Sequence, residues 1–346
     1  MKKLITYLLM LPLLLVSCQE NGIDSVPAQE NSASNSTELK LMKINIEKSL
    51  LYKKSSKKNG DFVNQVAAIN EVLLEHGIQL EKMEFLGAEE VGNTVYFKNV
   101  GNKQLASDFV PNDPRNWWPS NPYLGEWMDG TVGYWTDGTQ QGTSSGMSEN
   151  ETIDAFESVM NTWGSINCSQ GLVLSNQGVT SDADFGDVGY VQWLTGFGGY
   201  PGIAPGSILH GGNLPAFWFE AVLGSTDVLG VTFTFVWTGT DLDQNGKADV
   251  AIKEIYMNDG FAWQDAPNDV LGNGIYDYET VLLHEAGHGL SQGHFGKAFR
   301  DNGPDGGKLH FTPHALMNAG YTVGRRDITG TDEAGHCSIW ENWPNE

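Results

Sequence analysis

The segment His284-Glu285-Ala286-Gly287-His288 constrains this chain more than any other stretch. Residues four apart share a face on an α-helix, so a helical segment lets both imidazoles point a ring nitrogen at one ion. The preceding Thr280-Val281-Leu282-Leu283 is apolar and suits a buried helix, expected over about Tyr278–Leu290. Glu285 projects beside the pair, within reach of a water on that ion. Two imidazoles do not close a zinc site; a third ligand is needed, with one position left open. His294 lies six residues past His288, off the shared helical face, and a break near Gly289 or Gly293 would swing it back. The plainer alternative, a helix with polar residues facing solvent, fits poorly with an otherwise apolar helix in a chain holding only 8 His among 346 residues.

Charge and composition narrow the setting. The net charge of −23 argues against a nucleic-acid partner, which needs basic surface to neutralise phosphates. That charge is uneven: residues 1–105 hold 12 basic and 12 acidic residues, whereas 106–346 hold 8 and 31. Lys2 and Lys3 precede an apolar run, Leu4–Val16, of signal-segment size that is too short to span a bilayer. Residues 1–18 therefore read as a lipoprotein signal peptide ending in Leu15-Val16-Ser17-Cys18, which resembles the bacterial lipobox and makes Cys18 the lipidated residue. The expected location is exported, lipid-anchored to the cell envelope at the outer membrane or cell surface. Residues 19–38 are polar and Asn/Ser-rich, a flexible tether. Residues 39–105 read as a small α/β unit, either a prodomain or an accessory region. It holds strands near 39–46 and 93–100, a helix over 61–76 and a basic tract, Lys53–Lys58. Residues 106–346 read as one larger domain, with a helix opened by the Ser148-x-x-Glu151 capping box and strands near 172–175, 231–237 and 250–256. Cys168 and Cys337 are an even pair in an oxidising compartment, either bridged over a long range or two buried thiols.

Over His284–His294 the chain resembles the zinc signature H-E-x-x-H-x-x-G-x-x-H of metzincin metallopeptidases, and Ala315–Tyr321 resembles their Met-turn. Tyr321, four residues after Met317, is similar to the matrixin branch. The resemblance implies an α/β (α+β) catalytic domain with a twisted mixed sheet, a backing helix at 148–163 and a zinc-binding helix. It also implies an antiparallel edge strand at Val231–Trp237 that holds extended peptide. It assigns His284, His288 and His294 to zinc and Met317 to an apolar floor. It makes Glu285 the general base of a zinc endopeptidase acting on proteins or peptides through metal-activated water. Two departures stand out: Ser291 occupies the position of the signature glycine, and residues 39–105 contain no Cys to block zinc. Asp301, His310 and His314 are alternative third ligands.

Asp241, Asp243, Asn245 and Asp249 alternate with a Gly at the sixth position, like the first half of a calcium loop. A polar hairpin turn accounts for the same residues. Asp182, Asp184 and Asp187 form a weaker cluster of the same kind. The rival to the enzyme is a surface-anchored adhesin or glycan-binding module with a structural metal, for which Trp117, Trp118, Trp127 and Trp135 would serve as stacking platforms.

Overall fold

A computed structural model describes residues 70–88, 91–96, 107–111, 113–116, 130–180, 189–195, 205–223, 225–239, 241–266, 274–301 and 308–344. The signal segment with Cys18, the tether, the expected strand at 39–46, the basic tract, the 182–187 acidic cluster, Trp117, Trp118 and Trp127 lie outside these. No described helix is long and apolar enough to cross a membrane.

In chain order the elements are β1 (Ile78–Gly87), β2 (Asn93–Tyr96), β3 (Ser107–Asp108), β4 (Thr131–Asp137), α1 (Glu149–Gly164) and β5 (Val173–Thr180). Next come α2 (Tyr190–Thr195), β6 (Ser207–Leu214), α3 (Ala216–Leu223), β7 (Val228–Trp237) and β8 (Ala248–Asn258). The last are β9 (Ala262–Gln264), β10 (Ile275–Asp277), α4 (Tyr278–Gly289), β11 (Lys297–Arg300), β12 (Leu309–Thr312) and α5 (Gly330–Trp340). The architecture is mixed α/β around a sheet of order β2-β1-β7-β8-β6-β4-β5, with β3 beside the start of β8. Strands β5, β4, β6 and β8 pair in parallel, and β7, β1 and β2 continue the sheet antiparallel.

Each face of the sheet carries its own core. On one face, Val191 and Leu194 of α2 and Trp218 and Phe219 of α3 pack with Phe233, Phe235 and Tyr256. On the other, Phe156, Met160 and Trp163 of α1 and Val281, Leu282 and Ala286 of α4 pack with Ile255, Met317 and Trp340. The capping box at α1 forms as the sequence predicts: Glu151 N–H donates to Ser148 Oγ at 3.3 Å, and Ser148 N–H donates to Glu151 Oε2 at 2.6 Å.

One expectation needs correcting. The strand expected at Val231–Trp237 runs antiparallel to β8, but it is not an edge. β1 pairs along its other side from Ile78↔Trp237 to Gly87↔Val228. For the same reason, β1 and β2, which fall within 39–105, belong to the sheet of the larger domain. Ile78, Leu80, Met83 and Phe85 of β1 fill the first core, so the strand is packed as an interior element. Beyond α4, β11 and β12 pair as a separate antiparallel hairpin, from Lys297↔Thr312 to Arg300↔Leu309.

Cys168 and Cys337 are bridged, with Cα atoms 5.7 Å apart and a sequence separation of 169. The bridge fastens α5 to the turn after α1, where the His336 ring also meets Ser169 Oγ at 2.8 Å. On the chain-entropy model a loop of this length removes about 5 kcal/mol of unfolded-state freedom. Cys337→Ser is expected to lower the calorimetric melting midpoint by about 10 °C, and reductant should reproduce that shift in the parent chain.

Candidate metal centre

The helix that carries the histidines is fixed at both ends. Its N-cap is Asp277, whose carboxylate accepts Thr280 N–H at 3.1 Å and is itself gripped by Arg326. Its far end is a Schellman turn: Ser291 N–H donates to His288 O and Gln292 N–H to Gly287 O, each at 2.9 Å. The residue in the left-handed position is Ser291, at φ +68°; neither Gly289 nor Gly293 takes that conformation. Buried Lys253, whose amine burial pulls down to about 7, donates to His288 O at 3.1 Å where the helix ends.

That turn reverses the chain and brings His294 back. His294 Nε2 lies 3.2 Å from His284 Nε2 and 3.0 Å from His288 Nε2. Tetrahedral zinc with Zn–N bonds of about 2.0–2.1 Å separates its nitrogens by about 3.3 Å, so these spacings suit a single ion. The opposite nitrogens are engaged. His284 Nδ1–H donates to Leu316 O at 2.8 Å, His288 Nδ1–H donates to Gln292 O at 2.7 Å, and His294 Nδ1 faces Thr94 Oγ1 at 3.4 Å. The two carbonyls set the tautomers of His284 and His288 and leave their Nε2 lone pairs directed inward, and the Thr94 hydroxyl, able to accept an N–H, is compatible with the same tautomer at His294. Burial pulls the His284 imidazole down to about 4 and holds His288 and His294 well below the ordinary histidine value. All three rings are therefore neutral near pH 7, as ligation requires. Three convergent imidazole acceptors form a donor set that fits a metal.

Beneath the helix, Gly287 has no room for a side chain: a Cβ there would lie 2.4 Å from Met317 Sδ and 3.0 Å from Trp163 Cζ2. Met317 is fully buried. Its turn is held by Asp332 of α5, whose two carboxylate oxygens accept Leu316 N–H and Met317 N–H, both at 3.0 Å. Asp332 thus acts on His284 through Leu316, a positioning role that sequence spacing did not suggest. Phe295 N–H donates to Met317 O at 3.2 Å, and Asn318 Nδ2 donates to Phe295 O at 3.0 Å, which anchors the segment next to His294.

Glu285 is fully buried against β7, where Gly230 leaves it space: a Cβ at Gly230 would sit 2.8 Å from Glu285 Cγ. Burial pushes its carboxyl well above the ordinary value, while Thr232 Oγ1, donating to Oε2 at 2.7 Å, and the Leu86 N–H oppose that rise. Glu84 lies nearby, its carboxylate 2.8 Å from Lys82 Nζ and 3.5 Å from His288 Nδ1.

The alternative third ligands are engaged elsewhere. Asp301 pairs with His310 at 3.1 Å, and His314 meets Thr322 Oγ1 at 2.9 Å and Arg325 at 2.5 Å. Tyr321 accepts Asp277 N–H at 3.3 Å at the head of α4. In the β7–β8 hairpin, Asp241, Asp243 and Asp249 converge closely enough to share an ion. Arg115 pairs with Asp249, Lys247 pairs with Asp108 at 2.8 Å, and the Asn245 oxygen accepts Lys247 N–H. Trp135 is buried, with its indole N–H on Ser207 Oγ at 3.3 Å, so it is no stacking platform.

Ser291→Gly removes both a left-handed Cβ and a buried hydroxyl that lacks a hydrogen-bond partner. It is expected to stabilise the protein by about 1 kcal/mol, read in a denaturant titration, with the three-histidine geometry retained. Asp332→Ala is expected to weaken metal binding about 10- to 100-fold in a competitive chelator titration, although no ligand is altered. No protein-family model matches the chain, and no curated protein matches it significantly.

Proposed function

We propose that the chain is a zinc-dependent endopeptidase of the metzincin type, closest in its motifs to the matrixin branch. The observation that carries this reading is the convergence of three neutral imidazoles, with the Nε2 atoms of His284 and His288 at 3.2 and 3.0 Å from that of His294 and Glu285 one residue along the helix from His284. The mixed sheet, the backing helix α1 and the floor formed by Met317 agree with that plan.

His284, His288 and His294 would hold the ion. Zinc bound there supplies Lewis acidity, polarising a peptide carbonyl and bringing the pKa of water towards neutrality. Glu285 takes up the proton of the attacking water at its carboxylate and delivers it to the leaving amine nitrogen. A carboxyl raised by burial suits both transfers. Thr232 fixes one Glu285 oxygen, so the other is the one that moves the proton. Asp241, Asp243 and Asp249 offer hard oxygen ligands of the kind a structural calcium takes. The Leu4–Val16 run followed by Cys18 supports export and lipid anchoring at the cell envelope.

Glu285→Gln is expected to keep stoichiometric zinc by elemental analysis and to lose about 100- to 10,000-fold in hydrolysis of labelled casein. Parental turnover in that variant would remove Glu285 from the mechanism, and chelator-insensitive turnover would remove the metal.

A further inference from the structure

Arg325 and Arg326 adjoin in sequence and differ in what they hold. Arg326 is surrounded by carboxylates, pairing with Asp265, Asp277 and Glu279. Arg325 makes no ion pair among the described residues, although 106–346 hold 31 acidic residues against 8 basic. Its backbone N–H donates to Thr280 Oγ1 at 2.6 Å, which pins it to the first turn of α4. Its Nη2 donates to His314 Nδ1 at 2.5 Å, so His314 carries its proton on Nε2, facing Thr322 Oγ1 at 2.9 Å. Nη1 is shielded from solvent and has no hydrogen-bond partner among the described residues.

The guanidinium stands at a hollow beside the metal centre. Arg325, Leu316 and Tyr321 line it together with Thr280 and His284, which are one turn apart on the same face of α4. A substrate group that enters this hollow therefore lies close to the bond that the metal polarises. A guanidinium nitrogen withdrawn from water without a partner costs the fold stability, so folding alone gives no reason for it. Nη1 carries two N–H donors and Nη2 keeps a second, enough for both oxygens of a carboxylate. The net charge of −23 repels acidic peptides in general, so recognition of one requires a local cation of this kind.

We infer that Arg325 is a specificity-determining residue that receives a substrate carboxylate beside the scissile bond, so that the site selects acidic peptides. That carboxylate comes from an Asp or Glu side chain or from a peptide C-terminus. The inference rests on the endopeptidase reading above and names the substrate class for it. His314 acts as a positioning residue, holding the guanidinium at the hollow.

The test compares the full-length, zinc-loaded parent with Arg325→Gln and His314→Ala, after zinc content and cooperative thermal unfolding are confirmed for each. The probes are two pools of short fluorescent peptides, random in sequence but free of Asp and Glu except at a fixed central residue, Glu in one pool and Gln in the other. Each pool is made with free and with amidated C-termini. The parent is expected to hydrolyse one form about 10-fold faster in kcat/KM, and Arg325→Gln to bring that ratio down to about 2-fold or less. A preference for Glu among amidated peptides assigns the side chain, and a preference for free termini in both pools assigns the terminus. His314→Ala lowers the ratio by a smaller factor, and it carries the comparison if Arg325→Gln does not fold. The same pools are titrated by anisotropy onto Glu285→Gln, alone and combined with Arg325→Gln, so that binding is read without cleavage. Equal hydrolysis and equal binding of all forms would overturn the inference and leave the endopeptidase reading standing wherever hydrolysis is seen. Binding that discriminates through Arg325, with no hydrolysis by any chain, would keep the carboxylate site and remove the endopeptidase reading instead.

Discussion

A helix can place only two of the three imidazoles on a common point, because the third lies beyond the turn at Ser291. The geometry of the centre rests on that reversal. With Ser291 at φ +68°, the next amide caps Gly287 O and the next carbonyl, on Gln292, is free to receive His288 Nδ1–H. One turn therefore ends the helix, orients its second histidine and returns the third. A residue with a Cβ is strained in this conformation, and its hydroxyl finds no partner. The packing around the centre offsets that cost: Trp163 donates to Leu283 O, Trp340 donates to Leu290 O, and Met317 lies flat against Gly287.

Two of the three ring orientations depend on backbone carbonyls, Leu316 O and Gln292 O, and these are only as rigid as the loops that bear them. The structure secures the first through a side chain far along the chain, since Asp332 of α5 clamps both amides of the Met317 turn. The second is secured by the Schellman turn itself. Burial keeps the rings neutral, so the same low-polarity surroundings that fix the histidines also ready them to donate lone pairs.

How much of this is legible in the sequence follows from how local each determinant is. The helix α4 is readable because its apolar face, its acidic N-cap and its paired histidines all lie within a few residues. The capping box of α1 is readable for the same reason, whereas the two cysteines suggest a bridge without deciding between it and two buried thiols. β1 is not readable, because Glu81, Lys82 and Glu84 interrupt its apolar residues in the manner of a solvated segment. Its burial is decided by partners about 150 residues away. β6 escapes detection because His210-Gly211-Gly212 resembles a loop. Gly211 is required there by the Tyr256 ring, which would lie 2.1 Å from a Cβ. Asp332 leaves no signal at all, since an acidic residue in the first turn of a helix is ordinary.

The bridge between Cys168 and Cys337 reaches further than the two segments it joins. Cys337 and Asp332 share α5, Asp332 steadies Leu316, and Leu316 aims the first imidazole. The two sulfurs and the first imidazole are thereby joined through one short helix and one pair of backbone hydrogen bonds. A variant that loses the bridge thus slackens the support of the first imidazole along with the end of the chain.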